Sequence, residues 1–237
     1  MTTPKATLRI LGYSVSPETF RCVLREFNAW PGLDVDIVEG MANIDRGRSM
    51  IATSFLERPL EDTGPLLLMV DSDMAWRLGD LAYIAEAAIA LKAVVGGVYP
   101  KRMWNQGLAI RVAHAGEHTM GTDRFVACDY VGTGFIAIPR FILERLAETL
   151  PLCVGGLQPF FMPFVREKDG RLEYPTDDAA FCARVKEAGC SVYAALNTAI
   201  THVGSYGYRV QDGYTSPPET KEMVVSFQGA IDETPHT

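Results

Sequence analysis

The chain contains no run of about 18 apolar residues, the length a membrane-spanning helix needs. Its opening Met1-Thr2-Thr3-Pro4-Lys5 also lacks the charged-then-apolar layout of a secretory leader. Both absences set the expectation of a soluble, cytoplasmic protein. Cysteine is sparse: Cys22, Cys128, Cys153, Cys182 and Cys190 are odd in number and form no CxxC, which points away from zinc knuckles and disulfide frameworks and toward small buried hydrophobes. Positive charge is short as well. Lys and Arg number 22 against 29 Asp and Glu, a formal net charge of −7, so nothing global attracts nucleic acid or an anionic membrane. Internal repeats and low-complexity tracts are missing.

What is present is an ordinary globular composition, 48% hydrophobic and 22% charged over 237 residues, enough for one domain spanning 1–237. Strand-like and helix-like stretches alternate, the pattern of a sheet flanked by helices. Strands are expected at Thr7 to Val15, Val35 to Val38, Leu66 to Val70, Val94 to Tyr99, Phe125 to Tyr130, Gly134 to Ile138, Ser191 to Leu196 and Ala199 to Val203. Helices are expected at Ser16 to Trp30 with Ser16 as cap, Asn43 to Glu57, Leu78 to Leu91, Pro139 to Thr149, and Asp177 to Ala188 closed by Gly189. Leu66 to Tyr99 reads as a right-handed parallel crossover. Phe160 to Arg166 with Leu172 to Tyr174 reads as a hairpin turning at Lys168-Asp169-Gly170.

The chemistry gathers at a few points. Asp71-Ser72-Asp73 follows the most apolar strand, so its carboxylates emerge at the carboxyl end of a central strand, where open α/β sheets bind ligands. Two carboxylates so spaced suit Mg2+ or Mn2+ on a diphosphate, or alternatively a turn and helix cap. Asp34-Val35-Asp36 repeats the spacing in a half-polar strand start, where a solvated edge is the plain reading. His202 ends the last core strand and joins a metal sphere only if that strand lies beside Asp71. Asp177 and Asp178 open a helix, either complementing its dipole or placing a general base in the cleft.

Arg46-Gly47-Arg48-Ser49, at the start of a helix, suits a phosphate or ribose, or a solvated face. Lys101, Arg102, Trp104, Arg111 and Arg124 mix cations with an aromatic ring, as a solvated loop or a local nucleic-acid patch does. Phe160, Phe161, Met162 and Phe164 form either an apolar platform or the core of the hairpin. His114 and His118 flank Gly116 without a metalloprotease glutamate and read as surface residues. After Gly204 a Gly/Tyr loop carries Tyr206, Tyr208 and Arg209, placed to close over a ligand.

Taken in order, Leu66 to Trp76, Val94 to Arg102, Gly132-Thr133-Gly134-Phe135, Asp177 to Cys182 and Thr201 to Gly204 resemble glycosyltransferases of the GT-A fold, over roughly residues 7–208. The resemblance implies a three-layer α/β/α sandwich with a mostly parallel mixed sheet. It implies a donor half at about 7–103, an acceptor half at about 104–208, and a loop and tail from 204 to 237. The activity implied is transfer of a sugar from a nucleotide sugar (UDP- or GDP-linked) to an acceptor hydroxyl of a glycan or of a hydroxylated base in DNA, with Mn2+ or Mg2+.

By the same resemblance, Asp71, Asp73 and His202 serve the metal, and Asp177 or Asp178 is the base. Arg46, Arg48, Ser49, Asp71, Ser72, Lys101, Gly134, Tyr206 and Arg209 contact the donor. Gly12-Tyr13-Ser14-Val15 departs from the usual first-strand ending of the large inverting families, and Asp177 stands where Glu is usual. Two other readings stay open. One is a haloacid dehalogenase-like phosphatase using Asp71 as nucleophile, and the other is a non-catalytic nucleotide-binding module.

Overall fold

The computed structural model describes residues 4–39, 41–102, 107–114, 116–121, 124–168, 170–204, 207–213 and 224–227. Trp104, Asp169 and Tyr206, singled out from the sequence, lie outside them. β1 (Ala6–Leu11) leads to α1 (Pro17–Ala29), where the Ser16 side chain caps the helix by accepting from the Thr19 N–H at 3.1 Å. β2 (Leu33–Val38) precedes α2 (Ile44–Glu57), capped by Asn43, and the one-turn helix α3 (Leu60–Thr63). β3 (Leu66–Asp71) turns directly into β4 (Met74–Trp76), then α4 (Asp80–Leu91) and β5 (Val94–Gly97).

The second half holds β6 (Ile110–Val112), β7 (Gly116–Thr119), β8 (Phe125–Val131), β9 (Phe135–Pro139), α5 (Arg140–Ala147), β10 (Arg166–Lys168), β11 (Arg171–Glu173) and α6 (Asp177–Glu187). β12 (Val192–Ala195), β13 (Ile200–Val203), β14 (Gly207–Tyr208), a 3-10 turn at Val210–Gly213 and β15 (Val224–Phe227) complete it.

Eight strands form one sheet in the order β2-β1-β3-β9-β5-β12-β8-β6. Six point the same way, and only β8 and β9 are reversed. Side chains alternate between two cores, as the two-residue period of a strand requires. Leu67, Met69, Ile136 and Ile138 pack with Phe55 of α2, Leu143 of α5 and Phe181 of α6. Leu66, Leu68, Val70 and Ala137 pack with Val23 of α1 and Ile84 of α4. The result is an α/β/α sandwich around a mixed, mostly parallel sheet.

Several expectations need correction. β3 and β5 run parallel, as the crossover requires, but they are not neighbours: β9 runs between them in the opposite sense. Phe160 and Phe161 are fully buried in the core rather than in a strand, Phe161 stacking on Phe181 at 4.3 Å between ring centres. Cys153 is exposed and Cys190 half-buried, so only Cys22, Cys128 and Cys182 behave as buried hydrophobes. Asp34 is not merely solvated: it accepts from Arg9 at 3.0 Å and Arg58 at 3.1 Å.

The β10–β11 hairpin has its polarity reversed. Arg166 turns inward to Glu173 at 2.9 Å and to Glu187 of α6 at 2.7 Å, while Leu172 and Tyr174 are 77% and 74% exposed. β13, β14 and β4 form a small sheet. It brings His202 beside the turn between β3 and β4, with His202 opposite Met74.

Candidate functional site

The turn after β3 is held from behind by α1. Thr19, fully buried, directs its hydroxyl at the carbonyls of Ser72 (3.0 Å) and Met74 (2.6 Å), on either side of Asp73. The Ser16 N–H also donates to the Ser72 carbonyl, at 2.8 Å. One helical turn on, the Cys22 thiol meets both the N–H and the carbonyl of Trp76 at 3.3 Å. The Glu26 carboxyl then accepts from the Trp76 indole at 3.1 Å and the Gly79 N–H at 2.9 Å. Residues 16, 19, 22 and 26 lie on one helix face, so a single side of α1 grips the whole segment from Ser72 to Gly79. Burial raises the Glu26 carboxyl above its ordinary value, against these two hydrogen bonds.

In front of the turn, four sequence-predicted residues converge. Arg48, 5% exposed in the second turn of α2, gives Nη2 to both oxygens of Asp71 at 2.9 and 3.0 Å. Its Nη1 reaches Asp177 and, at 3.3 Å, Asp178 Oδ1. Asp178 Oδ1 also accepts from the Thr133 backbone N–H at 3.2 Å and from the Thr133 hydroxyl. Every described bond to Asp178 thus falls on one oxygen. Burial raises the Asp178 carboxyl, with Arg48 opposing and Asp177 assisting. A buried ion pair that loses one partner typically costs about 3–5 kcal/mol, so Arg48 is part of the frame rather than a passing contact.

The reversed β9 brings Gly132 to Gly134 into this edge. The Asp71 N–H donates to the Gly134 carbonyl and the Gly134 N–H to the phenol of buried Tyr99, both at 2.9 Å. A methyl group at Gly134 would sit 2.8 Å from Asp71 Oδ2 and from the Tyr99 oxygen, so any larger residue there would push these side chains out of place.

Asp73 belongs to a second cluster. Its Oδ2 lies 3.0 Å from Arg102 and 3.5 Å from His202 Nε2. Burial works to raise the Asp73 carboxyl, and His202 and Arg102 outweigh it, leaving it below the usual value. His202 Nδ1 faces the Pro100 carbonyl at 3.0 Å, and a carbonyl only accepts. Nδ1 therefore carries the proton, and in the neutral ring Nε2 presents a lone pair toward Asp73. A lone pair facing a carboxylate suits either a proton or a shared cation.

The other expected residues are placed differently. Ser49 is 1% exposed and accepts from the Phe161 N–H at 3.1 Å, so its hydroxyl serves the core and not a donor nucleotide. Arg48 likewise turns inward to the carboxylates instead of outward to a phosphate. Arg46, Lys101 and Arg209 are exposed, Ser72 is half-buried, and Tyr206 lies outside the described residues. Asp71, Asp73 and His202 do not converge: among the described residues no three His, Cys, Asp or Glu side chains form a metal-binding group. In the cation-rich segment, Arg111 lies 3.8 Å from Asp129 and 5.3 Å over the Tyr130 ring, and Arg102 is taken by Asp73.

Sequence reasoning missed Tyr99 and the grip of α1; it named Arg102 only within the cation-rich segment and Thr133 only within the Gly132 to Phe135 stretch. The Gly-Thr-Gly stretch was the one available signal for Thr133.

No protein-family model matches the chain, and no curated protein does. Among solved structures it is similar to A197 from STIV, with a TM-score of 0.57 at 15% identity over 98% of both chains. Weaker likenesses are to the UTP-bound UGPase from Acinetobacter baumannii (TM-score 0.40, 10% identity, 72% of this chain and 54% of that one) and to S. aureus TarS 1–349 in complex with UDP-GlcNAc (TM-score 0.41, 13%, 90% and 62%). The likeness to A197 is one of fold.

Proposed function

We propose that the chain transfers a sugar from a nucleotide-sugar donor, UDP- or GDP-linked, to an acceptor hydroxyl. The observation that carries this reading is the pairing, at the carboxyl edge of the sheet, of an Asp73–His202 donor pair with Asp178, whose Oδ2 accepts no bond from any described residue. Asp73 and His202 fit a Mn2+ or Mg2+ ion as two protein ligands, the remaining positions being left to phosphate and water. Held there, such an ion would neutralise charge on the departing nucleoside diphosphate. Asp178 is suited to take the acceptor's proton: its Oδ1 is fixed by Thr133 and Arg48, and burial makes the carboxylate more basic.

The phosphatase reading loses support, since both oxygens of the required nucleophile, Asp71, are taken up by Arg48. The non-catalytic reading is separated by experiment. Nucleotide sugars are screened with Mn2+ by mass spectrometry for nucleoside diphosphate release, with glycans and hydroxymethylated DNA as acceptors. Asp178→Asn is expected to keep donor binding in calorimetry and lose at least 100-fold in turnover. Donor binding that needs no metal and survives Asp73→Ala overturns the reading.

A further inference from the structure

Asp71 and Asp73 are two residues apart but do not share a ligand field. Asp71 offers both oxygens to one nitrogen of Arg48, whereas Asp73 faces His202. For Asp71 to enter the coordination sphere of a cation it would first have to give up that contact. Arg48 has no alternative use for its charge, being 5% exposed with its Nη1 already on Asp177 and Asp178. Among the described residues its buried Nε has no hydrogen-bond partner, so the guanidinium sits where the carboxylates hold it and not where its own bonding would be complete. Three carboxylates from two distant parts of the chain, the end of β3 and the start of α6, are thereby tied to one cation from α2.

We propose that Arg48 is the resident counter-ion of the site. It is a positioning residue that locks Asp71 and the Asp177–Asp178 pair into one constellation, fills the seat a divalent cation would take among them, and so leaves cation binding to Asp73 and His202 alone. The assignment of the cation to Asp73 and His202 rests on the transferase reading; the place of Arg48 among the three carboxylates does not. A lysine cannot reproduce it, because a single ammonium lacks the fork that reaches Asp71 on one side and Asp177 and Asp178 on the other.

The test is a titration of the full chain with Mn2+ alone, read by calorimetry and by the electron paramagnetic resonance of free Mn2+, with thermal melts to establish folding. Asp71→Asn should bind Mn2+ within about twofold of the parent chain, and Asp73→Asn should lose about tenfold or more. Arg48→Met, which vacates the seat, should gain a second Mn2+ equivalent at Asp71, Asp177 and Asp178. Arg48→Lys should gain none but should loosen the constellation, seen as a shifted pH profile of turnover.

Equal losses from Asp71→Asn and Asp73→Asn overturn the proposal, as does a folded Arg48→Met chain with unchanged stoichiometry or an absence of Mn2+ binding in every variant. A parent chain that binds no Mn2+, beside an Arg48→Met chain that does, removes the metal from the transferase reading and upholds Arg48. Where Arg48→Met does not fold, the comparison of Asp71→Asn with Asp73→Asn decides.

Discussion

Two short segments of this chain are held in opposite ways. Ser72 to Gly79 is gripped through buried groups of α1, each meeting a backbone or indole partner in turn. The β10–β11 hairpin is held by partly exposed ion pairs between its two strands and to α6, and it turns Leu172 and Tyr174 to solvent. The first arrangement fixes the carbonyls flanking Asp73, and so the direction in which its carboxylate points. The second fixes only one face of a ribbon. Accurate placement of the Asp73 side chain comes from buried hydrogen bonds, which are expensive to leave unmade, and not from surface charge pairs, which water and salt weaken.

The sharpest way to break this contrast is Trp76→Ala. Trp76 is 4% exposed and lies 5.4 Å from the Phe135 ring, so its loss should cost about 3–5 kcal/mol in denaturant unfolding. Thr19→Val keeps the shape but takes the hydroxyl donor from the Met74 carbonyl and one of two donors from the Ser72 carbonyl. It should cost about 1–3 kcal/mol, with Thr19→Ser restoring most of the loss. An unchanged unfolding midpoint for Thr19→Val would mean that the carbonyls find other donors and that the grip is not what holds the turn.

Glu26→Gln tests the same helix through pH. The folded state raises this carboxyl above its usual 4.5, so its contribution is fully present below that value and is lost as pH rises through the folded one. The melting temperature of Glu26→Gln should match that of the parent chain near pH 4 and exceed it once pH has risen past the folded value, where the gap levels off; a gap that stays flat from pH 4 upward refutes the sign.

On the hairpin, Glu173→Ala should cost no more than about 1 kcal/mol. Leu172→Ser should stay within about 0.5 kcal/mol of the parent chain. A larger loss at Leu172 in urea unfolding would show that its face is covered in solution.

Much of the fold was legible in the sequence because its helices announce themselves. Ser16 and Asn43 cap where their side chains predict, Gly189 closes α6, and the apolar run at Leu66 marks the centre of the sheet. The insertion of β9 was not legible, since a strand buried on both faces reads the same in either direction. At the candidate site, the placement of Asp71, Asp73, Asp177, Asp178 and His202 at one edge of the sheet follows from their positions in the sequence, but the division of the two aspartates after β3 between different partners does not. It depends on Arg48 turning inward, and an arginine near the start of a helix carries no mark of which way its side chain points. Thr19 and Tyr99 escaped for a similar reason: a hydroxyl facing a backbone carbonyl leaves no periodic trace.

The reversed strand also dictates the order in which the molecule can be built. β5 is complete by residue 97, yet its two neighbours are β9, beginning at residue 135, and β12, beginning at residue 192. Until those segments leave the ribosome, β5 has no strand to pair with and the outer edge of β3 stands open. The edge that carries Asp71 is therefore sealed late and by distant parts of the chain, which raises the contact order and slows folding relative to a sheet laid down strand by strand. A chain arrested before residue 135 should be prone to aggregate through the open edges of β3 and β5.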